Sequence, residues 1–295
     1  MGVGLAEGTP IWLPDGRILP VGQVVGEQLP VLTYDKTWDL REPRVGRPYP
    51  PRDQAVGKLL PATPVRWEVH SSEAVFIVRL VSGRSVEAAA GQPWVVRMRE
   101  GARRPVLRTT ASLEPGWSVP VPLTATCFGS LGDEWDGWFV GIMLGDGNMT
   151  GRTPVWVGHD DGTLAQMRKF VERNDCELSV DDNGTWLRVR LTDPRWHRNQ
   201  LRDLLIEHQV WGFKGDGKRV ADLPYSQAFV RGLVSGLIDS DGSVSRNDVE
   251  FANISETLAR QFSDFLLRHG GLSDAAFRIV PLLEGARDAD WPWGA

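Results

Sequence analysis

The sequence has little with which to cross-link itself. Its only cysteines are Cys127 and Cys176, which form no closely spaced pair. On that count neither a disulfide framework nor a zinc site is indicated. There is no pattern of a secretory signal peptide and no apolar run long enough to cross a bilayer. A reducing, cytoplasmic setting without a membrane is therefore expected. The chain also lacks a positive surplus, with a formal net charge of -5 over 295 residues. The deficit is uneven. Residues 1–125 carry 15 Lys and Arg against 12 Asp and Glu, whereas 126–295 carry 18 against 26. A nucleic-acid partner usually leaves a positive footprint, so DNA binding by the acidic part would need a local basic face. Disorder is excluded by 41% hydrophobic and 24% charged residues, a composition able to bury cores over more than one domain.

What is present changes texture near residues 122–132. Before that point the chain reads as short strands at 9–13, 17–19, 29–34, 74–80, 85–89 and 94–98. Turn residues such as Pro14-Asp15-Gly16 and Pro115-Gly116 separate them. No stretch there keeps helical periodicity over three turns, so an all-β module is expected over 1–125. The segment 41–54, rich in Pro and Arg, reads as a surface loop. Beyond it, helices are expected at 133–144, 163–174, 195–209, 226–238 and 255–268, from apolar residues at i, i+3 and i+4. Strands are expected between them at 154–157, 186–191, 249–254 and 276–282. The second unit, 126–295, divides into two repeats of about 133–210 and 226–295.

The repeat has an offset of 95 residues. Gly137 matches Gly232, Gly141 matches Gly236, Gly145 matches Ser240 and Asp146 matches Asp241. Residues four apart share one face of a helix. Each copy thus carries a stripe of small residues, although a glycine inside a soluble helix costs about 1 kcal/mol relative to alanine. Close approach of the two helices is the compensation expected. Each stripe ends at an aspartate followed by glycine, a common stop signal. An aspartate at a helix C-terminus sits at the negative end of the dipole, and two such ends together call for a cation. Magnesium accepts one or two carboxylates completed by waters and phosphate oxygens. The pattern therefore predicts a divalent-metal site suited to phosphodiester cleavage. In 186–191, alternation places Trp186, Arg188 and Arg190 on one face and Leu187, Val189 and Leu191 on the other. The arginine face suits phosphates or guanines, and Arg152 and Arg278 are further DNA-binding candidates.

Phe139-Val-Gly-Ile-Met-Leu-Gly-Asp-Gly147 and Val234-Ser-Gly-Leu-Ile-Asp-Ser-Asp-Gly242 resemble the two signature helices of monomeric LAGLIDADG homing endonucleases. The first departs from the motif with Leu144 where an acid is common. The resemblance covers roughly 133–285. It implies a pseudo-twofold αββαββα domain, monomeric, forming a saddle over a long double-stranded DNA target. It also implies that Asp146 and Asp241 bind magnesium or manganese. Gly217-Lys-Arg-Val-Ala221 resembles the element that precedes the second helix in intein endonucleases, with Ala221 in place of the usual proline. Lys218 is then the implied catalytic lysine.

The first 125 residues resemble the N-terminal part of an intein splicing (Hint, horseshoe) domain, at Gly4-Leu-Ala-Glu-Gly-Thr-Pro-Ile11, at Gly83-Arg-Ser-Val-Glu-Ala-Ala-Ala-Gly-Gln-Pro-Trp-Val-Val96 and at Leu113-Glu-Pro-Gly-Trp-Ser-Val-Pro120. Gly4 stands where that family has its cysteine nucleophile. Ala89 and Gln92 stand where it has Thr-x-x-His, and Trp293-Gly294-Ala295 carries no His-Asn pair. A glycine has no atom with which to attack a carbonyl, and glutamine does not titrate as histidine does. The expected fold class is thus α+β, and the expected activity is a splicing-deficient, intein-derived endonuclease. Two alternatives stay open: a DNA-binding protein on the same fold without cleavage, and a decayed intein with neither activity. At the 95-residue offset, the counterpart of helix 195–209 falls at 290–304, so the second repeat is expected to lack its last helix or to close differently.

Overall fold

The computed structural model describes residues 4–34, 59–64, 75–81, 84–98, 106–119, 128–195, 198–244 and 249–269. The segment 41–54, Cys127, the strand expected at 276–282, Arg278 and everything past 269 lie outside them. The first part consists of antiparallel strand pairs: β1 (Pro10–Trp12) with β2 (Ile18–Pro20), β3 (Val31–Tyr34) with β4 (Leu59–Ala62), β5 (Val75–Arg79) with β6 (Ser85–Ala89), and β7 (Pro93–Val96) with β8 (Val106–Thr109). The turn before β2 is built as its residues dictate. Gly16 takes φ +85°, and the Asp15 carboxylate accepts from the Arg17 backbone N–H at 3.1 Å and from its Nε at 2.8 Å. One element departs from the all-β expectation. A helix, α1 (Val21–Gly26), follows β2. Its six residues are too few to display a helical period. Val24 nonetheless seats it against Leu13 and Leu19 in a small core.

The second part runs α2 (Glu134–Asp146), β9 (Gly147–Asn148), β10 (Val155–Gly158), α3 (Asp161–Arg173), β11 (Glu177–Asp182), β12 (Leu187–Thr192) and α4 (Gln200–Glu207). The strands form one antiparallel sheet in the order β11-β12-β10-β9. Then come α5 (Gln227–Asp241), β13 (Gly242–Val244), β14 (Val249–Phe251) and α6 (Glu256–His269). The first repeat is thus αββαββα, and the described part of the second is αββα. Side-chain caps start the helices. Asp133 accepts from Asp136 N–H at 2.9 Å in a capping box, Asn199 accepts from Arg202 N–H at 3.0 Å, and Ser226 accepts from Phe229 N–H at 3.0 Å. The fourth helix begins five residues later than its periodicity suggests, because the Asp193 carboxylate accepts from the N–H groups of Arg195 and Gln200 and so holds a turn ahead of Asn199.

α2 and α5 pack backbone to backbone. A Cβ on Gly141 would lie 2.5 Å from the Leu233 carbonyl oxygen and 2.9 Å from Leu237 N. One on Gly236 would overlap the Trp138 carbonyl and lie 2.9 Å from Ile142 N, and those on Gly137 and Gly232 would strike the carbonyls of Phe229 and Glu134. The contacts advance together along both chains, so the helices run parallel with both C-termini at one end. The other flank of α2 faces the sheet and α3, where Phe139 stacks on Phe170 at 4.5 Å between ring centroids. α2 is therefore buried on all sides from Gly137 to Leu144, rather than amphipathic. The Trp138 indole N–H donates to Asp239 across the interface at 2.8 Å. At the matching position of the first copy stands Leu144, fully buried in the core.

His208, after α4, is 2% exposed, stacks on Phe229 at 4.7 Å, and its Nδ1 has no partner among the described residues. Burial holds its pKa down at about 4. An imidazole that is easier to protonate in the unfolded chain destabilises the fold on acidification. Stability is expected to fall as the pH drops from 6.5 towards 4, by up to about 3 kcal/mol, relative to His208→Gln measured in parallel by urea unfolding. For Gly141→Ala, crowding of two backbones should outweigh the helix-propensity gain and lower the unfolding free energy by about 2 kcal/mol. A stability equal to or above that of the parent would overturn the close contact.

Candidate active site

The parallel pairing of α2 and α5 brings Asp146 and Asp241 to the same end. The bare Cα of Gly145 makes the room. A Cβ there would strike Ser240 and come within 3.1 Å of Asp241 Oδ2. Gly147 and Gly242 are required for space and not for a left-handed turn. Both are extended (φ -87° and -96°), and a Cβ would meet Met143 Cα at 2.5 Å or the Ile238 carbonyl oxygen at 2.5 Å. The chain therefore leaves each helix directly into a strand, β9 or β13, and the aspartate is fixed between two rigid elements.

Lys218 completes the group. It is only 9% exposed, and its Nζ donates to the Gly145 carbonyl at 2.5 Å. This is one of the unpaired carbonyls at the C-terminal end of α2. The Lys218 segment is pinned on the other side. Ser255, itself fully buried, donates to the Lys218 carbonyl at 2.5 Å, and Gln261 brackets Val220 with bonds of 2.8 and 2.7 Å.

The charges are not comfortable there. Burial first, and then the neighbouring Asp241, push the Asp146 carboxyl up to about 6, against the pull of Lys218 and His159. Burial also raises Asp241, while the amide of Asn253, donating at 2.6 Å, and Lys218 hold it down. Burial lowers the Lys218 pKa, and the two aspartates oppose the shift. Among the described residues no three His, Cys, Asp or Glu side chains converge to enclose a metal ion. The pair is an open site: two carboxylates, one lysine, and helix-end carbonyls.

Asn253 and His159 were missed by sequence reasoning. Asn253 follows β14, accepts from Ser255 N–H at 2.8 Å and reaches Asp241 with its amide. At the repeat offset its counterpart is Gly158, so the repeat that exposes the aspartates hides this residue. On the sheet, the expected alternation is present. Val189 and Leu191 are fully buried and Arg188 and Arg190 exposed. Asp181 on β11 lies opposite Arg188, and Ser179 opposite Arg190, so the face is mixed rather than uniformly basic. Trp186 sits one residue ahead of β12 at 38% exposure, and Arg152 is exposed between β9 and β10.

In the first part, Gly4 lies beside β6, its carbonyl accepting from Ala89 N–H at 2.9 Å, and Gln92 N–H donates to the Ala89 carbonyl at 3.0 Å. The Gln92 carbonyl in turn accepts from Thr110. The three positions thus share one corner, and none of them carries a nucleophile or a group that titrates near neutrality.

Comparison with known proteins gives three findings. Among curated sequences, the DNA-directed RNA polymerase subunit Rpo1C of Methanocaldococcus jannaschii is 27% identical over 111 residues, which are 37% of this chain and 12% of that protein. The aligned region thus spans a small fraction of the relative. Among solved structures, mesophilic variants of the homing endonuclease I-DmoI align at a TM-score of 0.32 with 11% identity over 45% of this chain and 75% of theirs. I-DmoI in complex with DNA and Mn aligns at 0.32 and 11%, over 45% and 76%. Residues 228–274, which take in α5 from its second residue, β13, β14 and α6 and with them Asp241 and Asn253, match the family described as LAGLIDADG-like domain.

Proposed function

We propose that this chain is a site-specific, divalent-metal-dependent DNA endonuclease, derived from an intein that no longer splices. One observation carries the reading: Asp146 and Asp241 are held side by side at the shared end of two backbone-packed helices, with Lys218 against the same end. Two half-buried carboxylates with raised pKa values, flanked by helix-end carbonyls, form a donor set short of positive charge. That set fits magnesium or manganese, which take few carboxylates and fill their remaining positions with water and phosphate oxygens. Asp146 and Asp241 would hold the ions, which supply electrostatic stabilisation to the attacking and leaving oxygens of an in-line displacement.

The remaining roles belong to the chain. Lys218, fixed through Gly145 and Ser255, offers a positive charge whose pKa burial lowers while the two aspartates oppose the shift. It stands where negative charge would develop on phosphate. Asn253 fixes the Asp241 carboxylate in one orientation. Arg188 and Arg190, exposed and in no ion pair among the described residues, would take the duplex backbone, with Trp186 and Arg152 at the margins of the same sheet. The domain limits of 1–125 and 126–295 and a monomeric state belong to the same proposal. For the first part, the geometry at Gly4, Ala89 and Gln92 supports a splicing corner without its chemistry.

Plasmid linearisation against a library of target sites is the direct test. It should require magnesium or manganese, stop in EDTA, and be abolished in Asp146→Asn and Asp241→Asn. Binding that persists without cutting in the parent protein would favour a non-cleaving DNA binder, and no binding at low salt would favour a decayed element. Stability gives an independent readout. A carboxyl raised in the folded state contributes most when protonated, and that contribution is lost as pH rises from 3.8 through about 6. At pH 7.5 without metal, Asp146→Asn is therefore expected to raise the unfolding free energy by about 2 kcal/mol, while Mn2+ titration should stabilise the parent but not the variant.

A further inference from the structure

We propose that the linker between the two repeats, residues 211–219, is a phosphate-contact site in its own right, with Lys214 and Arg219 gripping the DNA backbone beside the paired aspartates. This rests on the endonuclease reading and adds a contact outside the sheet.

The linker bridges both repeats at the active end. Gly212 (φ +94°) donates its N–H to the Met149 carbonyl at 3.0 Å, just past β9. Gly215 (φ +53°) turns the chain against Ile254, just past β14. A single 3-10 turn, Gly215–Gly217, then delivers Lys218 to Gly145. Lys214 is four residues before Lys218, and virtual bonds of about 3.8 Å keep it within roughly 15 Å. That distance spans only a few phosphates of one strand.

Lys214 and Arg219 are exposed, while Lys218 between them is buried. The Arg219 guanidinium lies over the Phe213 ring at 4.5 Å. A guanidinium held over an aromatic face keeps its N–H donors for other partners, and a phosphate can take two of them at once. Five exposed arginines of this acidic part are spent on carboxylates: Arg173 on Asp133, Arg195 on Asp193, Arg198 on Asp203, Arg231 on Glu134 and Arg260 on Glu256. Lys214 and Arg219 have no ion pair among the described residues. Two available cations beside two aspartates also answer the charge deficit of residues 126–295. Glycines at 212, 215 and 217 keep the backbone low enough for a strand to approach.

The test is anisotropy of a labelled random-sequence duplex with the full chain in EDTA, over a series of salt concentrations. Lys214→Ala and Arg219→Ala should each lower the slope of log affinity against log salt by about 1 and weaken binding about tenfold at 0.1 M salt. Arg219→Lys should restore most of the slope. Arg231→Ala, at the opposite end of the α2–α5 pair, should keep the parental slope, and thermal melts should show all variants folded. Unchanged slopes in Lys214→Ala and Arg219→Ala, with Arg188→Ala and Arg190→Ala still weakening binding, would overturn the linker site and leave the endonuclease reading standing. An equal loss in Arg231→Ala would reduce the effect to net charge and overturn it too. A parent that binds no duplex at low salt would overturn both.

Discussion

Everything in the second part of the molecule hangs on two helix backbones touching. Ordinary helix packing separates axes by 8–10 Å with side chains between them. Here the stripes Gly137, Gly141, Gly145 and Gly232, Gly236, Ser240 remove that spacer. The closeness sets the register, makes the helices parallel, and forces both C-terminal ends into one place. Two negative dipole ends and two aspartates then share a space that Lys218 only partly neutralises. The unfavourable electrostatics of Asp146 and Asp241 follow directly from the packing, and the packing energy of α2 within its apolar surroundings sustains them.

The same contact explains why auxiliary groups are distributed unequally. A strict repeat would supply each aspartate with identical neighbours. Asn253 holds Asp241, while its counterpart, Gly158, offers Asp146 nothing. The linker lysine approaches from one side, at Gly145 rather than at Ser240. The frame is thus close to twofold while the chemistry laid on it is not.

Much of this was legible in the sequence, and the reasons are particular. The glycine stripes are visible because a four-residue spacing of glycines has no use in a solvated helix. The sheet face of Arg188 and Arg190 is visible because Val189 and Leu191 alternate with them. Other features were hidden by short range or by context. The partner strand β11 was not anticipated, since Asp181 and Asp182 are poor strand formers and only pairing with β12 makes their segment extended. Asn253 carries no local signal, because its role is defined by a side chain twelve positions away. The Asp-Gly steps were recognised as helix ends, but for a different physical reason: Gly147 and Gly242 are extended, and what they supply is clearance from the preceding turn. In the first part, strand pairs were legible from turn residues, while α1 was too short to declare itself.

The small residues of the helix seam differ from the aspartates in what their persistence would record. A side chain at Gly141 or Gly236 cannot be accommodated without separating two backbones, so drift at these positions is blocked whether or not the protein cuts anything. Asp146 and Asp241 are under the opposite pressure, since neutral replacements would relieve a repulsion and be welcomed by the fold. In a lineage released from selection for activity the acids would therefore erode first and the glycines last.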